Sequence, residues 1–526
     1  MFEAGGFGVA VTVSLAEPVP AGRRRGSRLV EALDPRGFTD GGLVGELASI
    51  ADVRAQLAAY EAGLVAEFAS RRPVETDLTA EQPGHGVDGW LPDRAPVGVS
   101  EFFADELAVV MGASRTAATV LAERSLALVR ELPATWAALA DGLIDQPRAN
   151  AIVAALSGQS LAAGGPVDDA VVAEVEAQAL GWATAGEAPR RLQDRVAAAL
   201  IAVDEAAADR RRKKAERLAD VTTRATADGM GQLIADLPMP LAAACRETVD
   251  VYARMAKADG DERPIGQLRA QALADLVLRP WDTSREPVTA HLTVLAPLPA
   301  LADRPGAVVV PAPTDADTAS VDGSPITAGQ LRELLAQLDA LCPGGLPAPA
   351  GGSCDVSLLD PATGAMRATV TRRELGRLAY RGCPAHPDSA TGSSACGCPL
   401  LGAPPPVDRY RPTPAQHRHV RARDRTCRHP GCRRPAARTD TDHVIAHADG
   451  GATDCANLCC LCRRHHRLKT HARHWRYRMT PDGTLLVTTP AGITRATRPP
   501  GTAPPTACQL VGGKERPDPD EQPPPF

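Results

Sequence analysis

A cluster of cysteine and histidine residues near the C-terminus contains the side chains best suited to chemistry. Two pairs have spacings that let each pair bind one tetrahedral zinc ion, namely Cys427 with Cys432 and Cys462 with His465. Cys459 with Cys462 is a rival to the second pair. Six of the 13 cysteines lie between Cys427 and Cys462, which favours metal binding over disulfides. We therefore expect a structural Zn²⁺ to hold the two ends of a small motif together.

The residues between these pairs suit the hydrolysis of a phosphodiester, which needs an activated water, a divalent cation and groups that hold both. Asp442 and His443 open a short β-branched run, Asn457 follows a Gly-rich loop, and His466 comes soon after Cys462. This order resembles that of the HNH endonucleases. The resemblance implies a ββα-metal module, in which a β-hairpin is followed by a helix that begins near Cys462.

The same resemblance implies a role for each residue. His443 would be the general base, because its near-neutral pKa suits proton removal at cellular pH. Asn457 would orient His443. Asp442 and His466 would hold a catalytic Mg²⁺ or another divalent cation, with positions left open for water and phosphate. Cys459 and Cys460 stand where the family usually has aliphatic residues, which keeps the rival zinc pair of Cys459 and Cys462 open.

The charge of the sequence is unevenly distributed. Residues 408–479 carry 17 Lys and Arg against 6 Asp and Glu, a net charge of +11, whereas the whole chain has a net charge of −5. This contrast indicates a DNA-binding segment on an acidic scaffold, with an arginine-rich genome composition as the alternative. Arginine suits phosphate binding because its planar guanidinium engages two oxygens at once. The arginines expected to contact DNA are Arg421, Arg423, Arg463, Arg464 and Arg467.

Length and composition predict several domains, most of them helical. The chain has 526 residues and only 3% aromatic residues, which favours helices packed through small side chains. We expect a mainly α N-terminal region with an isolated β-hairpin, and a small C-terminal ββα-metal module stapled by zinc. The predicted segments are a flexible arm at 1–41, a helical domain at 42–298, a Pro/Gly-rich linker at 299–407 with a small hairpin-helix and a Cys-rich loop, the HNH nuclease module at 408–495, and a disordered Pro-rich tail at 496–526.

The helical region has its own sequence features. Apolar residues recur at three- and four-residue steps from Leu43 to Phe68, as an amphipathic helix requires. Two helices separated by Gly112 superficially match a helix-turn-helix, although an antiparallel helical pair is the preferred interpretation. The segments 132–145 and 228–238 resemble the helical domain of unknown function that precedes an HNH module in many actinobacterial proteins, including the mycobacterial thirteen-E-twelve repeat proteins.

A second zinc site is possible in the predicted linker. Cys383, His386, Cys396 and Cys398 supply enough ligands, but the gap between the last two cysteines is tighter than is usual for zinc. Free cysteines in a loop are the alternative interpretation.

The sequence shows neither a secretory signal nor an apolar run of membrane-spanning length, so we expect a cytoplasmic protein with no membrane partner. The principal hypothesis is an endonuclease that hydrolyses DNA with a structural zinc and a catalytic divalent ion. The alternative is a non-catalytic DNA-binding or scaffold protein that keeps the zinc-stabilised module only as a fold. The intact set of Asp442, His443, Asn457 and His466 favours the enzyme. The oligomeric state and any sequence specificity stay open.

Overall fold

The structure is a computed structural model that describes residues 34–79, 82, 96–158, 167–203, 209, 212–213, 215–217, 219–278, 294–295, 319–321, 324–337, 355–359, 365–371, 402–500 and 502. Over these residues the chain is mainly helical, with small antiparallel sheets, as the sequence predicts. None of the helices in these ranges is long and apolar enough to cross a membrane.

The N-terminal half consists of helices with short connections. The long amphipathic helix predicted near its start is confirmed, and Thr39 caps it by accepting a hydrogen bond from the backbone N of Gly42. The helices of this half are α1 (Asp40–Ser70), α2 (Phe103–Met111), α3 (Arg115–Leu126), α4 (Pro133–Ala140), α5 (Gln146–Leu156), α6 (Asp169–Thr184), α7 (Pro189–Val203), α8 (Met239–Ala258) and α9 (Ile265–Leu278).

The main core lies where α1 packs against α4 to α7, and small residues line it. Ala55, Ala59 and Ala62 of α1 are almost fully buried against apolar side chains of the other helices. Trp136 of α4 adds a directional link, because its indole Nε1 donates to the carbonyl of Ala59 at 2.9 Å. Alanine allows helix backbones to approach closely, which explains how a chain with few aromatic residues still forms a packed helical core.

A second, smaller cluster joins α1 to the pair α2 and α3. Phe103 of α2 is buried and packs edge-on against Phe68 of α1, with ring centroids 5.4 Å apart. Gly112 ends α2 in the left-handed conformation at φ +64°, and Ser114 caps α3. The predicted break between two helices is therefore confirmed. This pair places the acidic side chains of α2 beside the C-terminal module.

The predicted isolated β-hairpin is also present. Strand β1 (Val221–Ala225) pairs antiparallel with β2 (Gly231–Ala235), and the turn contains Asp228 and Gly229, both at positive φ. The region after α9 contributes short elements: β3 (Val294–Leu295), β4 (Ala319–Val321), β5 (Ser324–Ile326), α10 (Ala328–Gln337), β6 (Asp355–Leu359) and β7 (Met366–Thr371). The predicted second zinc site at Cys383, His386, Cys396 and Cys398 lies outside the described residues.

The C-terminal module begins with helix α11 (Pro414–Asp424). The sequence Thr413-Pro-Ala-Gln416 predicts a capping box at its start. The structure confirms it, since Thr413 accepts from the backbone N of Gln416 at 3.1 Å and Gln416 accepts from the backbone N of Thr413 at 2.9 Å. Strands β8 (Asp440–His443) and β9 (Leu458–Leu461) then pair antiparallel, and helix α12 (Arg463–His471) follows β9 after one residue.

A three-stranded antiparallel sheet follows this ββα segment. Its strands are β10 (Arg476–Met479), β11 (Leu485–Thr488) and β12 (Thr494–Thr497), in that order across the sheet. The sequence predicts the first hairpin but not the third strand. Leu485 and Val487 of β11 are fully buried and belong to a small core that also contains Cys427 and Cys462.

Candidate metal centre and histidine site

The four residues predicted to bind zinc lie together. One ligand atom from each of Cys427, Cys432, Cys462 and His465 lies within 4.8 Å of the other three. The Sγ atoms of Cys427 and Cys462 are 3.3 and 3.2 Å from Nδ1 of His465. Around one tetrahedral zinc, sulfur and nitrogen ligands should be about 3.5 Å apart, so this donor set fits a single ion. The cluster could therefore hold a metal ion such as zinc.

The surroundings of the cluster support ligand chemistry rather than packing alone. Hydrogen bonds with Cys427 and Cys432 hold the pKa of the Cys462 thiol far below its ordinary value, which favours the metal-binding thiolate. Gly431, at φ +77°, gives the loop between the first two cysteines its turn. His429 stacks on His465 with ring centroids 3.9 Å apart, which restricts the orientation of the ligand ring.

The rival pair of Cys459 and Cys462 is not formed. Cys459 is fully buried on β9 and does not belong to the ligand cluster. Burial raises the pKa of its thiol well above the ordinary value, as expected for a cysteine used as a small apolar side chain. Cys462 differs because it lies just past the end of β9, where the chain turns towards the other ligands.

His443 ends strand β8 in a defined hydrogen-bonded position. Its Nε2 is 2.8 Å from Oγ1 of Thr453, and the Thr453 hydroxyl donates to the carbonyl of Arg409 at 2.5 Å. Thr453 is itself held by Gln416, whose amide donates to the Thr453 carbonyl at 2.9 Å. Burial lowers the pKa of His443, so its imidazole is neutral at cellular pH. The ring of Tyr410, itself 62% exposed, stacks over it with centroids 5.5 Å apart.

The side-chain hydrogen bonds of Asn457 go to the loop that follows His443 and not to His443 itself. Oδ1 of Asn457 accepts from the backbone N of Ile445 at 2.9 Å, and its Nδ2 donates to the carbonyls of Ile445 and Ala452. Gly451 makes this possible, because a Cβ there would lie 2.0 Å from the Ile445 carbonyl oxygen. Asn457 can therefore orient His443 only through the backbone.

We expect Asn457→Ala to lower the free energy of unfolding of the module by about 1–3 kcal/mol, since backbone groups of the loop lose their partner. Amide hydrogen exchange at Ile445 should speed up, while the zinc content of the chain should stay at the wild-type level. Ala456→Gly, at the exposed neighbouring position, is the matched control. Unchanged exchange at Ile445 would contradict the role given to Asn457.

The two residues predicted to hold the catalytic ion are adjacent. His466 Nε2 is 3.4 Å from Asp442 Oδ1, and His466 Nδ1 is 2.9 Å from Asp440 Oδ2. The hydrogen bond with Asp440 raises the pKa of His466, so a cation bound there must displace a proton. Lys469 Nζ lies 2.9 Å from the buried Asp442 Oδ2, an ion pair without hydrogen-bond geometry. The carboxylate of Asp442 is therefore already paired with a cationic side chain of the protein.

The five arginines predicted to contact DNA divide into two groups. Arg421 and Arg463 are exposed, as phosphate binding requires, although Arg463 also pairs with Asp440 at 3.8 Å. The other three are engaged within the protein: Arg464 with Asp105, Arg467 with Glu101, and Arg423 with Asp424 and the carbonyls of Cys455 and Leu458. The sequence predicts that these three arginines contact phosphate, whereas in the structure their guanidinium groups pair with carboxylates of the protein.

Several residues at the site could not be predicted from the sequence. Thr453 and Lys469 carry no recognisable motif, and Gln416 is recognisable only as part of the capping box of α11. All three reach the site because the hairpin and the two helices converge. Tyr410 could have been noticed, because an aromatic residue flanked by Arg409 and Arg411 is typical of nucleic-acid-binding segments.

The N-terminal half matches a known family. The family model described as "Domain of unknown function (DUF222)" matches residues 45–337. The chain belongs to this family. The DUF222 domain thus includes α1 to α10, and it extends beyond residue 298, where the sequence predicts a linker. The match confirms the resemblance to a helical domain of unknown function.

Mycobacterial proteins share a shorter segment with this DUF222 protein. Uncharacterized protein Rv3776 of Mycobacterium tuberculosis (strain ATCC 25618 / H37Rv) is 47% identical over 90 residues, which is 17% of each chain. Uncharacterized proteins MT2160 (strain CDC 1551 / Oshkosh) and Rv2100 (strain ATCC 25618 / H37Rv) are both 48% identical over 90 residues, 17% of this chain and 16% of theirs. The chain therefore aligns with only a small part of these curated relatives. No solved structure matches it significantly.

Proposed function

We propose that this chain is a metal-dependent endonuclease that hydrolyses phosphodiester bonds in DNA through an HNH-type site. The observation that supports it most is the position of His443. It ends a strand of the β8–β9 hairpin, is held by Thr453, and lies next in sequence to Asp442, which His466 of α12 approaches to 3.4 Å. A base, a hard carboxylate and an imidazole thus adjoin one another beside the metal cluster.

The hydrogen bonds of Thr453 select the tautomer of His443. The single hydroxyl proton of Thr453 is directed at the Arg409 carbonyl, so its oxygen must accept from Nε2–H of His443. The lone pair then resides on Nδ1 of the imidazole. We infer that Nδ1 takes the proton from the attacking water, and that Thr453 holds the ring in the form that can do so. Because Tyr410 covers the ring, access to it depends on the position of that side chain.

Asp442 and His466 would hold the catalytic cation. A divalent ion bound there would stabilise the charge that develops on the phosphate and the leaving oxygen. The residues of the chain have separate tasks. Asp440 holds His466 through Nδ1 and leaves its Nε2 directed at Asp442, whereas Lys469 binds the carbonyl of His443 and fixes the end of β8 against α12.

The exposed basic groups of the C-terminal module indicate where DNA would lie. Arg409 and Arg411 flank the exposed Tyr410, while Arg421 and Arg463 lie on the two helices of the module. Guanidinium groups can bind successive phosphates, and an exposed tyrosine ring can stack on a base or sugar. These contacts read no particular sequence, so we expect electrostatic, sequence-tolerant binding.

Replacing Arg421 and Arg463 together by Ala should weaken binding to every duplex alike. Each phosphate contact on duplex DNA contributes about −0.9 to the slope of log K against log salt, so the slope should flatten by about 1–2. The measurement is a salt titration of binding to two unrelated duplexes. Replacing Arg212 and Lys213 together by Ala in the helical domain, which removes two exposed cations paired with Asp209, is the charge-matched control. A strong preference for one duplex that persists at high salt would reveal a base-reading element instead.

Divalent-dependent DNA cleavage by the zinc-loaded chain tests the proposed function. Cleavage should need both the added ion and His443. One observation favours the alternative of a zinc-stabilised, non-catalytic DNA-binding or scaffold protein: Lys469 already neutralises the carboxylate of Asp442. That alternative predicts salt-dependent DNA binding with no cleavage under any divalent cation.

A further inference from the structure

Helix α2 of the DUF222 domain lies against the helix that follows the metal ligands. Asp105 of α2 is fully buried, and its carboxylate meets Arg464 of α12 through Nε at 3.0 Å and Nη2 at 2.6 Å. The other carboxylate oxygen, Oδ1, is 3.3 Å from Nε2 of His465. Arg115 of α3 adds a second guanidinium group, 3.2 Å from the same oxygen. One carboxylate thus contacts a metal ligand and the residue before it.

The contact extends along the whole of α2. Before its first turn, Glu101 accepts from Arg467 of α12 at 2.7 Å. At its last turn, Arg495 of β12 donates to the carbonyls of Val109 and Val110 at 3.0 and 3.2 Å. Between them, Glu106 accepts from the backbone N of Ala491 at 2.9 Å. The bonds from Arg495 satisfy carbonyls at the C-terminal end of α2. Together, the three contacts define one continuous interface between the two domains.

The cysteine turn of the metal cluster joins the same interface. Gly431, between the first two ligands, approaches the chain just after α2 so closely that a Cβ would lie 2.8 Å from the carbonyl oxygen of Ala113. The DUF222 domain therefore touches both halves of the cluster: the turn that carries Cys427 and Cys432, and the helix that carries His465.

The geometry at His465 assigns a specific task to Asp105. The ring directs Nδ1 to the sulfur atoms of Cys427 and Cys462 and Nε2 to the carboxylate of Asp105. Histidine ligands of metals commonly donate the second ring nitrogen to a carboxylate, which fixes the tautomer and makes the ligand nitrogen more basic. A buried carboxylate would be costly if it lacked partners, and here the guanidinium groups of Arg464 and Arg115 offset that cost.

We propose that Asp105 of the DUF222 domain is the outer carboxylate of the metal centre, which it positions through Nε2 of His465. The metal centre is then a site shared by two domains. The helical domain packs against the C-terminal module and contributes to its metal centre. This inference does not depend on whether the chain cleaves DNA.

Zinc retention by the full-length chain tests the proposal. Asp105→Asn keeps the shape of the side chain but removes the charge that His465 faces, and loss of such an outer partner typically costs about 10–100-fold in metal affinity. Competition for Zn²⁺ with a chromophoric chelator should show a loss of that size. Glu101→Gln is the matched control, because Glu101 pairs with Arg467 in the same interface and touches no ligand. Equal zinc affinity for Asp105→Asn and wild type, or equal losses in the two variants, would overturn the proposal.

A double-mutant cycle separates positioning from docking. His465→Cys supplies a thiolate ligand without a second ring nitrogen. In that background Asp105→Asn should change zinc affinity by less than about threefold. The effects of the two substitutions are then coupled, which a purely structural role of Asp105 would not produce.

A second measurement uses the wild-type chain and does not depend on whether a variant of Asp105 folds. In a ¹⁵N-histidine-labelled, zinc-loaded chain, one imidazole metallated at Nδ1 should carry a slowly exchanging Nε2 proton. Rapid exchange of the Nε2 proton of His465 would contradict the carboxylate contact.

Discussion

Cys462→Ser is expected to abolish zinc binding and to unfold the C-terminal module. The apolar cluster under the ligands is small, and two of the ligands themselves, Cys427 and Cys462, belong to it. Structural zinc contributes about 10–16 kcal/mol of apparent binding energy in small zinc-stabilised domains, which exceeds what so small a core supplies. Zinc content should fall from one ion per chain to none, and the thermal transition of the module should disappear.

Cys459→Ser is the matched control for this experiment. Cys459 lies only three residues before Cys462 and is also buried, but it does not belong to the ligand cluster. The substitution should lower the free energy of unfolding by about 1–3 kcal/mol, as expected for a hydroxyl placed in an apolar site. It should leave one zinc per chain. If Cys459→Ser released the zinc and His465→Ala did not, the ligand set inferred from the structure would be wrong.

His443→Ala is expected to reduce the DNA cleavage rate by about 10²–10⁴-fold, because general-base assistance is lost. The zinc content and the affinity for DNA should stay close to wild type, since His443 belongs to neither the ligand cluster nor the exposed basic surface. The measurement combines single-turnover cleavage with DNA binding and zinc analysis on the same preparation.

His447→Ala is the control for the loss of an imidazole at this place. The His447 ring lies edge-on to His443, with centroids 5.7 Å apart, and no role is assigned to it. Its removal should change the cleavage rate by less than about tenfold, well below the loss expected at a general base. A variant at His443 that cleaves at the wild-type rate would exclude it as the base.

The spacing of ligands and caps in the sequence predicted the local parts of this site. Cys427 with Cys432 and Cys462 with His465 are short-range pairs, and short-range spacing limits which metal geometries the chain can form. The same holds for the capping box at Thr413 and for the turn at Asp228, where a few adjacent residues determine the conformation. These predictions needed no knowledge of the tertiary fold.

Contacts between distant segments could not be predicted in this way. Arg464 is separated from Asp105 by 359 residues, so its sequence neighbourhood shows only a basic helix and suggests phosphate binding. In the structure, Arg464 instead pairs with Asp105 at the interface with α2. Asn457 illustrates the same limit at short range, because its three hydrogen bonds to the loop backbone depend on the close approach allowed by Gly451.

The most direct test of the account is the conversion of supercoiled plasmid DNA by the purified, zinc-loaded, full-length chain with added Mg²⁺ or Mn²⁺. We predict nicked or linear DNA that increases with time, is absent without the added ion, and is lost in His443→Ala but not in His447→Ala. A folded chain that retains one zinc and binds DNA, yet leaves the plasmid supercoiled with each divalent cation, would contradict the proposed nuclease function.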